Sequence, residues 1–209
     1  MTEPGEPAPA PAPAPARAPA PLSFATPPWL VVVDMQRIFG EPCSEWFTPD
    51  YETASAGSTR LRPAFGSRVA LTRFVAPAEP SGAWIPYYQD WPFALVPESD
   101  PLYELMPEFS VASPAGDATV ITRETFGKWD AATSSALGAP TDIVLTGVST
   151  DCCVLSTALA AADAGVRVRV VADACAGLSD LDHQRALDMM ALYAPLVEVT
   201  TVDEVLAAL

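Results

Sequence analysis

From residue 29 onward the hydrophobic positions fall into short runs separated by stretches of helical period. Trp29-Leu30-Val31-Val32-Val33 is a continuous apolar run that stops at Asp34. A run without alternation suits a strand buried on both faces. Comparable runs at 68–75, 118–122, 142–147, 166–171 and 196–200 predict five more strands. Between them, 150–164 is rich in Ala, Leu and Val, and 182–193 carries an apolar stripe of Leu187, Met190 and Ala191, so both predict helices. Strands alternating with helices predict an α/β fold with a parallel, doubly wound sheet. Ligands of such sheets bind outside the carboxyl ends of the strands, so the chemistry is sought just after each apolar run.

Composition narrows the picture. Residues 1–28 are an Ala-Pro alternation with little to bury and are expected to form an extended, disordered tail. Residues 29–209 then make one domain. A formal charge of -15 without any Lys/Arg cluster argues against nucleic acid and anionic membrane surfaces as partners. With no signal peptide and no apolar run of membrane length, a cytoplasmic protein is expected. The four cysteines, Cys43, Cys152, Cys153 and Cys175, form no CxxC pair and suggest no disulfide framework. His183 is the single histidine, so a Cys-His dyad would rest on it alone; packing or capping on its helix is its plainer role.

At the strand ends stand Asp34-Met35-Gln36, then Arg123 and Phe126-Gly127-Lys128-Trp129, then Gly147-Val148-Ser149-Thr150-Asp151-Cys152-Cys153. A carboxylate, a cation and a thiol therefore meet at one edge of the sheet. A thiol beside a cation and at a helix start is expected to have a lowered pKa, and the local backbone amides can stabilise an oxyanion. Cys152 neighbours the nucleophile but faces another way. The stretch from Trp84 to Phe93, broken by prolines, reads as too irregular for a plain helix or strand. It is either a packed surface or subunit contact, or an aromatic lid over a pocket. Trp84, Tyr87, Tyr88 and Trp91, with Gln36, Phe39 and Trp129, are the expected pocket residues.

The segments Gly147–Val154, Thr157-Ala158, Asp163-Ala164-Gly165 and Val170–Ala174, together with Asp34-Met35-Gln36 and Phe39, resemble the isochorismatase-like cysteine hydrolases over nearly all of 29–200. The resemblance implies a three-layer α/β/α sandwich with a six-stranded parallel sheet and an Asp-Lys-Cys triad. It also implies a cis peptide at Val148–Ser149 and an oxyanion hole from the amides of Ser149 and Cys153. By this likeness the chain is a cysteine hydrolase cleaving a C–N bond of a small amide, ureido or carbamoyl compound, with homo-oligomers common among its relatives.

Two departures from that pattern matter. The third strand ends in Arg123 where the family has its lysine, and Lys128 lies further on. Arginine supplies a fixed charge but does not give up its proton, so the cation is Arg123 acting as charge alone or Lys128 swinging in. The second strand, Thr72-Arg73-Phe74-Val75, lacks the histidines of metal-bearing nicotinamidases, so neither metal nor other cofactor is expected. The alternatives are an isochorismate-type vinyl-ether hydrolase, and a non-catalytic member that binds a small ligand or partner. A dinucleotide-binding domain is set aside because Asp34 stands where a G-x-G-x-x-G would begin.

Overall fold

The computed structural model describes residues 22–110 and 118–209; most of the expected Pro/Ala tail lies outside them. Six parallel strands form one sheet: β1 (Trp29–Val33), β2 (Val69–Phe74), β3 (Thr119–Arg123), β4 (Asp142–Val148), β5 (Arg167–Ala176) and β6 (Val197–Thr200). Their order is β3-β2-β1-β4-β5-β6. The chain winds outward from β1 to β3, then returns to place β4 on the other side of β1. The crevice where the winding reverses lies between the carboxyl ends of β1 and β4.

The helices are α1 (Arg37–Gly40), α2 (Tyr51–Phe65), α3 (Trp84–Asp90), α4 (Ala131–Ala136), α5 (Leu155–Asp163), α6 (Asp180–Ala191) and α7 (Val202–Ala208). Successive strand residues divide between two cores, as the period of two requires. Leu30 and Val32 pack with Leu61 and Phe65 of α2 and Val205 of α7. Val31 and Val33 pack with Ala158 and Ala161 of α5 and with Leu187 and Met190 of α6. Two helical layers thus sandwich the sheet. Side-chain caps start several helices: Asp130 for α4, Ser179 for α6, and a capping box of Thr201 and Glu204 for α7. No helix among the described residues is long and apolar enough to cross a membrane.

Three local expectations are corrected. The stretch at Trp84 forms the helix α3; Pro86 falls in its first turn, where an amide has no helical acceptor to lose. The helix expected from residue 150 begins as a π-helical turn, Thr150–Val154, and becomes α-helical only at Leu155. Strand β5 continues to Ala176, so Cys175 lies within the strand, 4% exposed, its thiol pKa pushed up by burial. Helix α2 contains Pro63, buries Tyr51, Ala54, Leu61 and Phe65, and through its small residues also comes close to β5. A Cβ on Gly57 would stand 2.7 Å from both Ala174 Cβ and Asp173 O.

Candidate active site

Directly after β1 stands Asp34, whose φ of 51° is in the left-handed region, which aspartate tolerates better than most residues. Thr72 of β2 fixes it twice. The Asp34 amide donates to Thr72 Oγ1 at 3.1 Å, and that hydroxyl donates to Asp34 Oδ1 at 2.6 Å. Beside β1, the carboxyl end of β4 carries Gly147 at φ 109°, then the Val148–Ser149 peptide, which is cis, then the π turn bearing Cys153. A Cβ on Gly147 would lie 2.1 Å from Val33 O. Only glycine lets β4 come this close to the residue before Asp34.

The cation is Lys128, on the loop after β3. Its Nζ is 3.0 Å from Asp34 Oδ2, with side-chain exposures of 1% and 0%. The ammonium also donates to Thr125 O at 2.5 Å and sits 5.1 Å from the centre of the Phe74 ring. Cys153, 3% exposed, faces the Asp34 carboxylate. Burial, and next the negative charge of Asp34, raise the thiol pKa well above its ordinary value, and Lys128 offsets only part of this. The expected lowering of the thiol pKa is therefore corrected: the resting pair is a neutral thiol beside a carboxylate.

Arg123 does not reach Asp34. Its guanidinium makes two 2.9 Å bonds to the carboxylate of Asp130 and donates to Thr133 Oγ1 at 2.7 Å. It still bears on the site at one remove. Thr133 Oγ1 donates to Lys128 O at 2.8 Å, the Lys128 amide donates to Thr157 Oγ1 at 3.0 Å, and that hydroxyl donates to Cys153 O at 2.6 Å. A continuous chain of hydrogen bonds thus holds the lysine loop against the cysteine turn. Arg123→Gln is expected to lower kcat by roughly tenfold through a displaced Lys128. A loss as large as that of a Lys128 variant, assayed side by side, would instead place Arg123 among the reacting groups.

The isochorismatase domain family matches residues 28–204. The chain belongs to that family. Isochorismatase domain-containing protein 2 of Xenopus laevis is 50% identical to this isochorismatase-domain protein over 48 residues, 23% of each chain. The match thus spans about a quarter of that curated relative's length. Among solved structures, a cysteine hydrolase from Pseudomonas syringae pv. phaseolicola 1448A superposes with a TM-score of 0.74 at 19% identity, covering 87% of this chain and 92% of the other. The N-carbamoylsarcosine amidase of Thermoplasma acidophilum gives 0.65 at 21% identity, covering 85% and 98%.

The expected pocket residues of this isochorismatase-domain protein divide. Tyr87, half-buried, lies near Cys152 and Cys153; burial and then those sulfurs push its pKa up to about 12. Trp84 meets Tyr87 and Phe126 with ring centroids 5.3 Å apart in each pair. Phe39 and Trp91 flank Trp46, at 6.1 and 6.0 Å. Tyr88 is 3% exposed and packs behind Trp84. Two are corrected. Gln36 spends its side chain on the backbone: Nε2 donates to Phe74 O and Tyr103 O at 2.9 and 2.8 Å, and Oε1 accepts from Phe74 N at 2.7 Å. Trp129 is 6% exposed and belongs to the core with Ile121 and Leu137, because the residue after Lys128 points to the opposite side of its loop.

Sequence reasoning missed Thr72, Trp46 and Phe126. Thr72 had a signal, being a polar residue inside a buried apolar strand; Trp46, on a loop, had none. His183 pairs its Nδ1 with Thr150 Oγ1 at 2.8 Å, which braces the cysteine turn, and burial lowers its pKa. Cys152 is half-buried beside Asp151, with its pKa raised by burial. Among the described residues, no three His, Cys, Asp or Glu side chains converge in a way that could hold a metal ion.

Proposed function

We propose that the chain is a cysteine hydrolase that cleaves the C–N bond of a small amide, ureido or carbamoyl compound through a thioester. The observation that carries this reading is the buried pair of Asp34 Oδ2 and Lys128 Nζ, 3.0 Å apart, with Cys153 facing the carboxylate. That carboxylate is the proton acceptor a neutral thiol needs. As Cys153 Sγ attacks the carbonyl carbon, its proton passes to Asp34, and the amides of Ser149 and Cys153 receive the oxyanion. The tetrahedral adduct collapses, the C–N bond breaks, and the nitrogen leaves with the proton from Asp34. Water, deprotonated by the same carboxylate, then attacks the thioester and restores the thiol while releasing the acid.

Lys128 stays against Asp34 through both steps and fixes the carboxylate in place. Its place against Asp34 supports catalysis over the non-catalytic alternative, whose motive was the arginine at the end of β3. The fold likeness to an N-carbamoylsarcosine amidase is consistent with this class of substrate.

The test is ammonia release from a panel of small carboxamides and ureido compounds, with acid-quenched mass spectrometry for an acyl adduct on Cys153. Cys153→Ala should lower turnover by at least about 10³-fold. Retained turnover in that variant would remove the cysteine from the reaction. In the free enzyme, alkylation of Cys153 should stay slow at neutral pH and accelerate only above the ~8.5 of a free thiol, because the folded state holds the proton.

A further inference from the structure

Helix α6 has two apolar faces. Ala186, Leu187 and Met190 point inward and pack in the core with Val31 and Val33 of β1 and Ala158 of α5. On the other side Leu181, Met189 and Leu192 are 58%, 49% and 78% exposed. Among the described residues, six of the eleven exposed large hydrophobic side chains fall between Leu178 and Leu196. A helix apolar on both sides is ordinarily covered on both, and a cluster of this kind at a surface marks an interaction site. Beside the stripe runs a groove lined by Leu155, Ala186 and Met189 with Asp151, Asp182 and Arg185. Such grooves receive the side-chain ridge of another helix.

The polar positions on this outer face say what fits it. Leu181, Arg185, Asp188 and Leu192 follow one another at steps of four, three and four residues, so they share one side of α6. Reversing the series leaves the leucines in place and exchanges the two charges. Two copies of α6 laid antiparallel about a two-fold axis therefore bring Leu181 opposite Leu192 of the second copy, and Arg185 opposite its Asp188. Asp182 comes opposite Ala191, so it meets no like charge. A surface that complements itself in this way is what a two-fold interface requires.

Both charges are within reach of a partner. Arg185 meets Asp182 of its own helix at 3.3 Å with its side chain 67% exposed, and the exposed Asp188 accepts from Gln184 Nε2 at 2.8 Å. The Pro/Ala tail is a poorer occupant of the stripe. Residues 1–21 hold no Leu, Ile, Val or aromatic side chain, and Leu22 and Phe24, which follow, pack against the core on the other side of the sheet.

We infer that the outer face of α6 is the interface of a two-fold dimer of this chain, with α6 antiparallel to its copy and Arg185 paired with the copy's Asp188. The apolar stripe supplies the attraction, against the repulsion of two chains of formal charge -15, and the paired charges set the register.

Sedimentation equilibrium of the full chain tests this. The wild type should associate into dimers. Leu192→Glu should be monomeric with an unchanged circular dichroism spectrum, since that side chain is 78% exposed. Arg185→Asp and Asp188→Arg each set like charges opposite one another twice per dimer, and each should raise the dissociation constant at least about tenfold. The double variant Arg185→Asp/Asp188→Arg restores opposite charges and should restore the affinity. An equimolar mixture of the two single variants should form a heterodimer for the same reason. A monomeric wild type would overturn the inference and leave the face to the tail or to another protein. A dimer that survives Leu192→Glu would overturn it as well, because the interface would then lie elsewhere. So would charge variants that change nothing singly or are not rescued together, which would rule out this register.

Discussion

Lys128→Met is expected to destabilise the protein by about 3–5 kcal/mol and to lower turnover by about 10³-fold. The stability loss follows from what remains. Asp34 is 0% exposed, and without the ammonium 3.0 Å from Oδ2 its negative charge is left in an apolar enclosure with one hydroxyl as donor. Without that cation the carboxylate is no longer held in place to accept the proton of Cys153. Lys128 is the only lysine in the chain, so no neighbouring lysine can substitute.

The double variant Asp34→Asn/Lys128→Met separates the two effects. Asparagine tolerates the left-handed backbone at this position, and no unpaired charge remains, so most of the stability should return while activity does not. Urea denaturation of the two single variants, the double variant and the wild type gives the coupling energy directly. A double variant no more stable than Lys128→Met would mean the ion pair is not what holds this region together.

Gly147→Ala is expected to cost at least about 4 kcal/mol. Two penalties add there. The φ of 109° is a conformation that side chains rarely adopt, and the new Cβ would lie 2.1 Å from Val33 O and 2.6 Å from Val33 N. Neither backbone atom can yield without parting β1 from β4, which are paired at Val33 and Gly147. Gly138→Ala is the control: its φ is also positive, at 73°, at the end of α4, but nothing lies within 4 Å, so about 1–2 kcal/mol is expected. Equal, mild shifts in the denaturation midpoints of the two variants would show that close approach at Gly147 is unimportant. Because Asp34 follows Val33 and the cysteine turn follows Gly147, any surviving Gly147→Ala protein should also lose activity.

Much of this was legible in the chain. The apolar runs located all six strands, because a central strand of a parallel sheet is buried on both faces and must be apolar throughout. The acid and the thiol were legible for a related reason: Asp34 follows β1 directly and Cys153 lies on the turn that leaves β4, so strand order brings both to the same crevice. The helix at Trp84 was hidden by its prolines. The helix α2 was hidden because Pro63 and the small residues Ser55, Gly57 and Ser58 at its buried positions interrupt the apolar series of Tyr51, Ala54, Leu61 and Phe65.

The identity of the cation was not in the sequence. Arg123 ends β3 as Asp34 follows β1, and by position it looks like the partner. What decides against it is Asp130, seven residues on, which caps α4 and binds the guanidinium, while the loop between them turns Lys128 inward over Phe74. Gln36 and Trp129 were misjudged in the same way, since a residue's place beside a strand end does not say whether its side chain meets solvent, backbone or core. The sequence by itself determined the sheet, the strand that carries each reactive group and the edge at which they gather, because these follow from local period and chain order. Only the tertiary structure decided which cation meets the acid, and the protonation state in which the thiol rests. Both depend on burial and on partners that loops bring from far along the chain, and local pattern does not encode them.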